Sequence, residues 1–210
     1  MIPRAIYRAI ALPDAEAPYD RASLKVYYPA KYGDSDEERN SGLVPADTAS
    51  APFPVVIILP GINLGPEAYT WLARDLARAG VASVTYTLIA EEMPGYISQT
   101  PGLALSELTA ERYGQSPSAT AIGPILKDLH ALNEEGLFAG TLDLNNVILA
   151  GHSAGGTVAL LNARPDWFPG IAGALAYGAH TGAATALGYP EDAMFAVPDQ
   201  LPLLIMGGTR

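Results

Sequence analysis

Val147-Ile148-Leu149-Ala150-Gly151-His152-Ser153-Ala154-Gly155-Gly156 joins an apolar run to a Gly-x-Ser-x-Gly pentapeptide and then to a helix-forming stretch. A serine in that setting sits on a strand-to-helix elbow, where the chain turns so sharply that side chains two positions either side would collide. Gly151 and Gly155 supply the clearance. The elbow lifts the Ser153 hydroxyl above the sheet. It also aims the N–H of Ala154, first in the new helix, at the place where negative charge develops when a carbonyl is attacked. In so glycine-rich a chain the pentapeptide alone is a weak signal, and its surroundings give it weight. Asn145-Asn146 punctuate before a buried strand over Val147 to Ala150, and Thr157 to Arg164 reads as a helix stopped by Pro165. His152 points away from the serine along such an elbow, so it reads as a packing residue or a support behind the site and not as the catalytic base.

Working outward, strands and helices alternate. Leu24 to Pro29 reads as an early strand, antiparallel to a neighbour near Ile6 to Leu12. Lys31 to Pro52 has no apolar period and reads as a mobile surface loop. Pro54 to Leu59 is a continuous β-branched run, the pattern of a central strand buried on both faces of a parallel sheet. The spacing of Tyr69, Leu72, Leu76 and Ala79 predicts a helix over Glu67 to Ala79, stopped by Gly80, and Val81 to Leu88 the next strand. Ala119 to Glu135 reads as a helix and Ile171 to Tyr177 as a short strand. The 89–118 stretch is long for a strand-to-helix connection, and long connections in compact domains are often functional. It reads as a cap-like insertion on one domain spanning 1–210. The order implies an α/β class with a mostly parallel, doubly covered sheet and a site at the carboxyl ends of the strands.

Composition narrows the chemistry. The 210 residues include no cysteine, which rules out disulfides and a thiol nucleophile, and the net charge of −10 argues against nucleic-acid partners. No run has the length of a transmembrane helix and no secretory leader is recognised, so a cytoplasmic location is the default expectation.

The elbow at Gly151 to Gly156 and the strand-plus-turn from Val55 to Leu64, ending Leu-Pro-Gly-Ile-Asn-Leu, resemble the α/β-hydrolase superfamily over nearly the whole chain. Within it they are similar to bacterial serine esterases of the chlorophyllase, dienelactone hydrolase and cutinase-type polyester hydrolase kinds. The resemblance implies an α/β-hydrolase fold and ester cleavage through an acyl-enzyme on Ser153, with no metal or organic cofactor. It puts the oxyanion N–H groups on Ala154 and Ile62, with Asn63 the neighbouring candidate. A free N–H beside Gly61 at the end of a central strand suits the same role. His180, just past the strand ending at Tyr177, and Tyr96, in the insertion, are expected substrate contacts, and a lipophilic small-molecule ester is the expected substrate. His130 reads as structural or surface.

One departure stands out. Leu201 to Arg210 looks like a late buried strand and its turn, after which the superfamily places an acid and then the histidine base. Glu191, Asp192 and Asp199 precede that strand and substitute poorly. The domain therefore reads as lacking its C-terminal elements, with the triad acid and base on polypeptide outside this sequence, in a separate C-terminal fragment or an omitted segment. The competing reading is a noncatalytic scaffold, or one chain of a complex, that keeps the elbow without a completed triad.

Overall fold

The computed structural model describes residues 1–181 and 184–208. Its centre is an eight-stranded mixed sheet: β1 (Ile2–Ala11), β2 (Arg21–Ala30), β3 (Phe53–Leu59), β4 (Ala82–Met93), β5 (Tyr96–Thr100), β6 (Leu142–His152), β7 (Ile171–Tyr177) and β8 (Leu203–Met206). The spatial order is β1-β2-β4-β3-β6-β7-β8, with β5 paired to β4. β3, β4, β6, β7 and β8 form a parallel block, whereas β1, β2 and β5 are antiparallel to their neighbours. The predicted early antiparallel pair is present, with Ile6 opposite Val26.

β3 shows why the sheet is central. Val55, Ile57 and Leu59 join one apolar core, while Val56 and Ile58 join a second on the opposite face. A strand alternates its side chains between faces, so an unbroken β-branched run requires cover on both. Of the helices α1 (Asp36–Ser41), α2 (Thr70–Arg78), α3 (Ile122–Glu134) and α4 (Ala154–Leu161), the last three supply it. α2 covers the smaller core through Ala73; α3 and α4 cover the larger through Ile122, Ile125, Leu129, Val158 and Ala159. A bidentate Arg8–Asp128 pair also ties β1 to α3.

Three predicted segments are corrected. The loop expected over Lys31 to Pro52 contains α1, whose Ser35 and Glu38 form a reciprocal capping box, and it returns through Val44 and Ala46, both buried in the main core. Polar caps hid the helix from an argument based on apolar period. The strand expected to stop at Leu88 runs on to Met93 and folds back as β5, so the first third of the 89–118 segment is a β-hairpin. Its Glu92 holds the base of that hairpin by accepting from the Thr100 hydroxyl and the Leu103 N–H. Finally, the sequence predicts a buried strand in Leu201 to Arg210; among the described residues β8 pairs with β7 alone, and Leu204, Ile205 and Met206 are exposed there. Thr209 and Arg210 of the predicted terminal run lie outside the described residues.

The helix expected over Thr157 to Arg164 starts earlier, at Ala154, and ends at Leu161. Asn162 ends it by making four side-chain hydrogen bonds while fully buried. It accepts from the N–H groups of Ser118 and Ala119 and donates to Ser118 Oγ and the Val158 carbonyl. A buried amide is tolerated only when satisfied, and this one fastens the 103–119 segment to the elbow helix.

Candidate active site

Ser153 has φ 55° and ψ −123°, a region costly for a residue with a Cβ. Among the described residues three non-glycine positions have positive φ, and two, Asn63 and Ser153, belong to this site. The glycines act as the sequence implied. A Cβ on Gly151 would lie 2.1 Å from the Gly155 carbonyl oxygen, and one on Gly155 would lie 2.2 Å from that of Leu59. The elbow is thus pressed against the carboxyl end of β3 and against itself.

That contact delivers the turn after β3 to the serine. A Cβ on Gly61 would sit 3.4 Å from Ser153 Cβ. Leu64 N–H donates to the Gly61 carbonyl at 3.3 Å, closing a four-residue turn with Ile62 and Asn63 at its centre. Positive φ at the third residue of such a turn suits Asn63, since asparagine tolerates the left-handed region better than most residues. The two candidate donors then part company. Asn63 N–H donates to the Gln99 carbonyl of β5 at 2.8 Å, which commits it to the hairpin. Gly61 N–H donates to Tyr69 Oη at 2.9 Å. Ile62, the expected oxyanion donor, lies between these two committed N–H groups. Ala154 opens α4, where the first N–H groups have no partner within the helix.

His180 holds a position that chain order did not reveal. Its Nε2 lies 3.2 Å from Ser153 Oγ. β6 and β7 are parallel and in register, His152 opposite Tyr177, so the segment leaving β7 must open beside the elbow. Thr157 Oγ1 on α4 fixes that segment by donating to the His180 carbonyl at 2.8 Å and accepting from its N–H at 3.2 Å. Tyr96 lies elsewhere, at the exposed tip of the β4–β5 hairpin opposite Met93. His130 is exposed on α3, and Glu191, Asp192 and Asp199 are exposed on the segment before β8.

Beside Ala154 and His180 opens a cavity of about 300 Å³, lined chiefly by apolar side chains, among them Leu103, Leu105, Leu160, Leu187 and Phe195. Tyr96 does not line it. Behind the turn, Tyr69 is buried, its hydroxyl 3.3 Å from His152 Nδ1. Burial raises the Tyr69 pKa, an effect the Gly61 N–H partly opposes, so the group stays a neutral hydroxyl at physiological pH. The His152 ring stacks on Tyr177 at 5.8 Å between centroids. Among the described residues no cluster of three or more His, Asp or Glu side chains could hold a metal ion. No helix among them is long and apolar enough to cross a membrane.

Solved structures share this arrangement of strands and helices. A ferulic acid esterase from Streptomyces cinnamoneus is similar with a TM-score of 0.51 at 18% identity, over 84% of this chain and 58% of that one. A bacterial heroin esterase is similar with a TM-score of 0.52 at 15% identity, over 85% of this chain and 45% of that one. The fold is that of an α/β-hydrolase. At such identities the likeness speaks to the fold alone, and the chain spans little more than half of the first structure and under half of the second. A separate C-terminal fragment gains no support from these comparisons. No family model matches the chain, and no curated protein matches it.

Proposed function

We propose that this α/β-hydrolase chain cleaves carboxylic esters through an acyl-enzyme on Ser153. The observation that carries the reading is the elbow itself: a serine held at φ 55° at the start of α4, with the turn after β3 packed against its Cβ. Strained backbone of this kind persists only where the surrounding structure enforces it. In the reaction Ser153 Oγ bonds to the ester carbonyl carbon as its proton passes to a base. Ile62 and Ala154 N–H groups hold the oxyanion, and the alcohol leaves with a proton. Water then attacks the acyl-serine, releasing the acid and restoring the hydroxyl. Esterase is the description carried by both solved structures above, and it agrees with this chemistry.

The apolar cavity beside Ala154 supports an uncharged, lipophilic substrate, as does the absence of lysine and arginine from its lining among the described residues. The 103–108 part of the predicted insertion supplies three of its leucines and so acts as a partial cap, whereas the hairpin before it buttresses the oxyanion turn. The narrower likeness to chlorophyllase, dienelactone hydrolase and cutinase-type enzymes belongs to this same proposal. The test is a fluorophosphonate probe followed by intact-mass and peptide mass spectrometry. One adduct, on Ser153, is expected; a chain that takes no label while folded overturns the reading and favours a noncatalytic scaffold.

His180 has two roles in this scheme. The first is to contact substrate from the mouth of the cavity. The second, favoured by the 3.2 Å contact with Ser153 Oγ, is to accept the serine proton. Loss of a general base costs about 10²- to 10⁴-fold in rate, so under the second role His180→Ala lowers kcat by that order with KM little changed. A rise in KM with kcat retained returns His180 to substrate contact and puts the base elsewhere.

A further inference from the structure

Resting on the serine-hydrolase reading, we propose that Tyr69 is a positioning residue whose single hydroxyl sets the separation of the two oxyanion donors. Tyr69 ends the short helical turn Pro66–Tyr69 that leads into α2, and its side chain reaches back beneath the turn after β3. There its hydroxyl meets one backbone group and one side chain. Gly61 N–H donates to Tyr69 Oη at 2.9 Å, and Gly61 immediately precedes Ile62. His152 Nδ1 lies 3.3 Å from the same oxygen, and His152 is two residues before Ala154.

A phenol has one proton to give and lone pairs to accept with. Oη accepts from Gly61, and we assign its own proton to His152 Nδ1. The imidazole then accepts at Nδ1 and carries its proton on Nε2 when neutral. The ring also stacks on Tyr177, with centroids 5.8 Å apart. Packing leaves little slack: a Cβ on Gly61 would come within 3.2 Å of His152 Nδ1. The hydroxyl thus closes a bridge from the β3 turn to the end of β6, the two elements that carry Ile62 and Ala154. Oxyanion donors work only when preorganised at the distance the developing charge requires, which is why a group touching neither substrate nor serine can govern the rate.

The test uses Tyr69→Phe in the full chain, which keeps the ring and removes the hydroxyl. With a p-nitrophenyl ester, kcat is expected to fall roughly 10- to 100-fold, on the order of the cost of an ångström-scale misplacement, while KM changes less than twofold. Side-chain ¹⁵N spectra of the wild type should show His152 Nδ1 as the unprotonated nitrogen of the neutral ring, with its resonance moving in Tyr69→Phe. A purely structural role would move that resonance but leave the kcat-to-KM split unchanged. Wild-type kcat in a Tyr69→Phe chain that still takes the fluorophosphonate overturns the proposal alone. So does a protonated Nδ1 in the wild type, which requires no variant to fold. A wild-type chain that neither labels nor turns over ester overturns the underlying reading instead.

Discussion

Ser153→Ala is expected to reduce ester turnover by about 10⁶-fold in kcat, the loss seen when an activated serine is removed from a preorganised site. It should leave the fold intact, because Ser153 Oγ has a hydrogen bond to exposed His180 and is otherwise half open to solvent. The substitution does not relieve the backbone, since alanine at φ 55° meets the same clash between Cβ and main chain as serine. Ser153→Gly does relieve it. The two inactive variants should therefore differ in stability by about 1 kcal/mol in favour of glycine, the lower end of what such strained conformations cost. In a domain of this size that corresponds to a Tm about 2–4 °C higher for Ser153→Gly than for Ser153→Ala. Calorimetry on the pair checks it. Equal Tm values would mean that the elbow is held without strain, and retained turnover in Ser153→Ala would end the serine-hydrolase reading.

The second large effect falls on stability. Gly155→Ala should destabilise the protein by about 3 kcal/mol or more, at the top of the range for overpacking. Helix propensity argues the other way, since alanine in a helix is ordinarily about 1 kcal/mol better than glycine. Packing wins because the added methyl would lie 2.2 Å from the Leu59 carbonyl oxygen and 2.4 Å from that of Pro60, and neither can rotate away. Relief requires α4 to lift from the end of β3, which would also separate Ser153 from the Ile62 turn. Gly156→Ala is the control on the next residue. Its Cβ would meet the Gly151 carbonyl oxygen at 3.1 Å and the Ala176 and Ala179 methyls at 3.4 Å, contacts that yield with shifts of a few tenths of an ångström. Urea midpoints should fall steeply for Gly155→Ala and little for Gly156→Ala. Similar midpoints for the two would show that the elbow does not bear on β3 as closely as described.

The same geometry explains which parts of the fold are legible in the sequence. Val55 to Leu59 and Val147 to Ala150 have one physical use, as strands covered on both faces, and a run of β-branched residues carries that information locally. Gly151, Ser153 and Gly155 are legible for a related reason: a sharp elbow excludes side chains at two fixed offsets, so its signature lies within five residues. The short helix over Asp36–Ser41 was not legible as an apolar period because its stability comes from the Ser35–Glu38 capping box. Tyr69 looked like one more apolar position at helical spacing, and no local signal separates a core tyrosine from one whose hydroxyl bridges two loops.

The sequence by itself determined the alternation of strands and helices, the parallel centre of the sheet and the serine at the elbow, since each follows from contacts between residues near one another in the chain. Only the tertiary structure decided that the Asn63 N–H is spent on the Gln99 carbonyl, brought alongside by a hairpin thirty-six residues later. It alone placed His180 on Ser153 Oγ and Tyr96 away from the cavity, since side-by-side parallel strands bring together residues that chain order keeps apart. Partners distant in sequence are selected by sheet register and loop packing, which depend on the whole fold and leave no trace in any single stretch of residues.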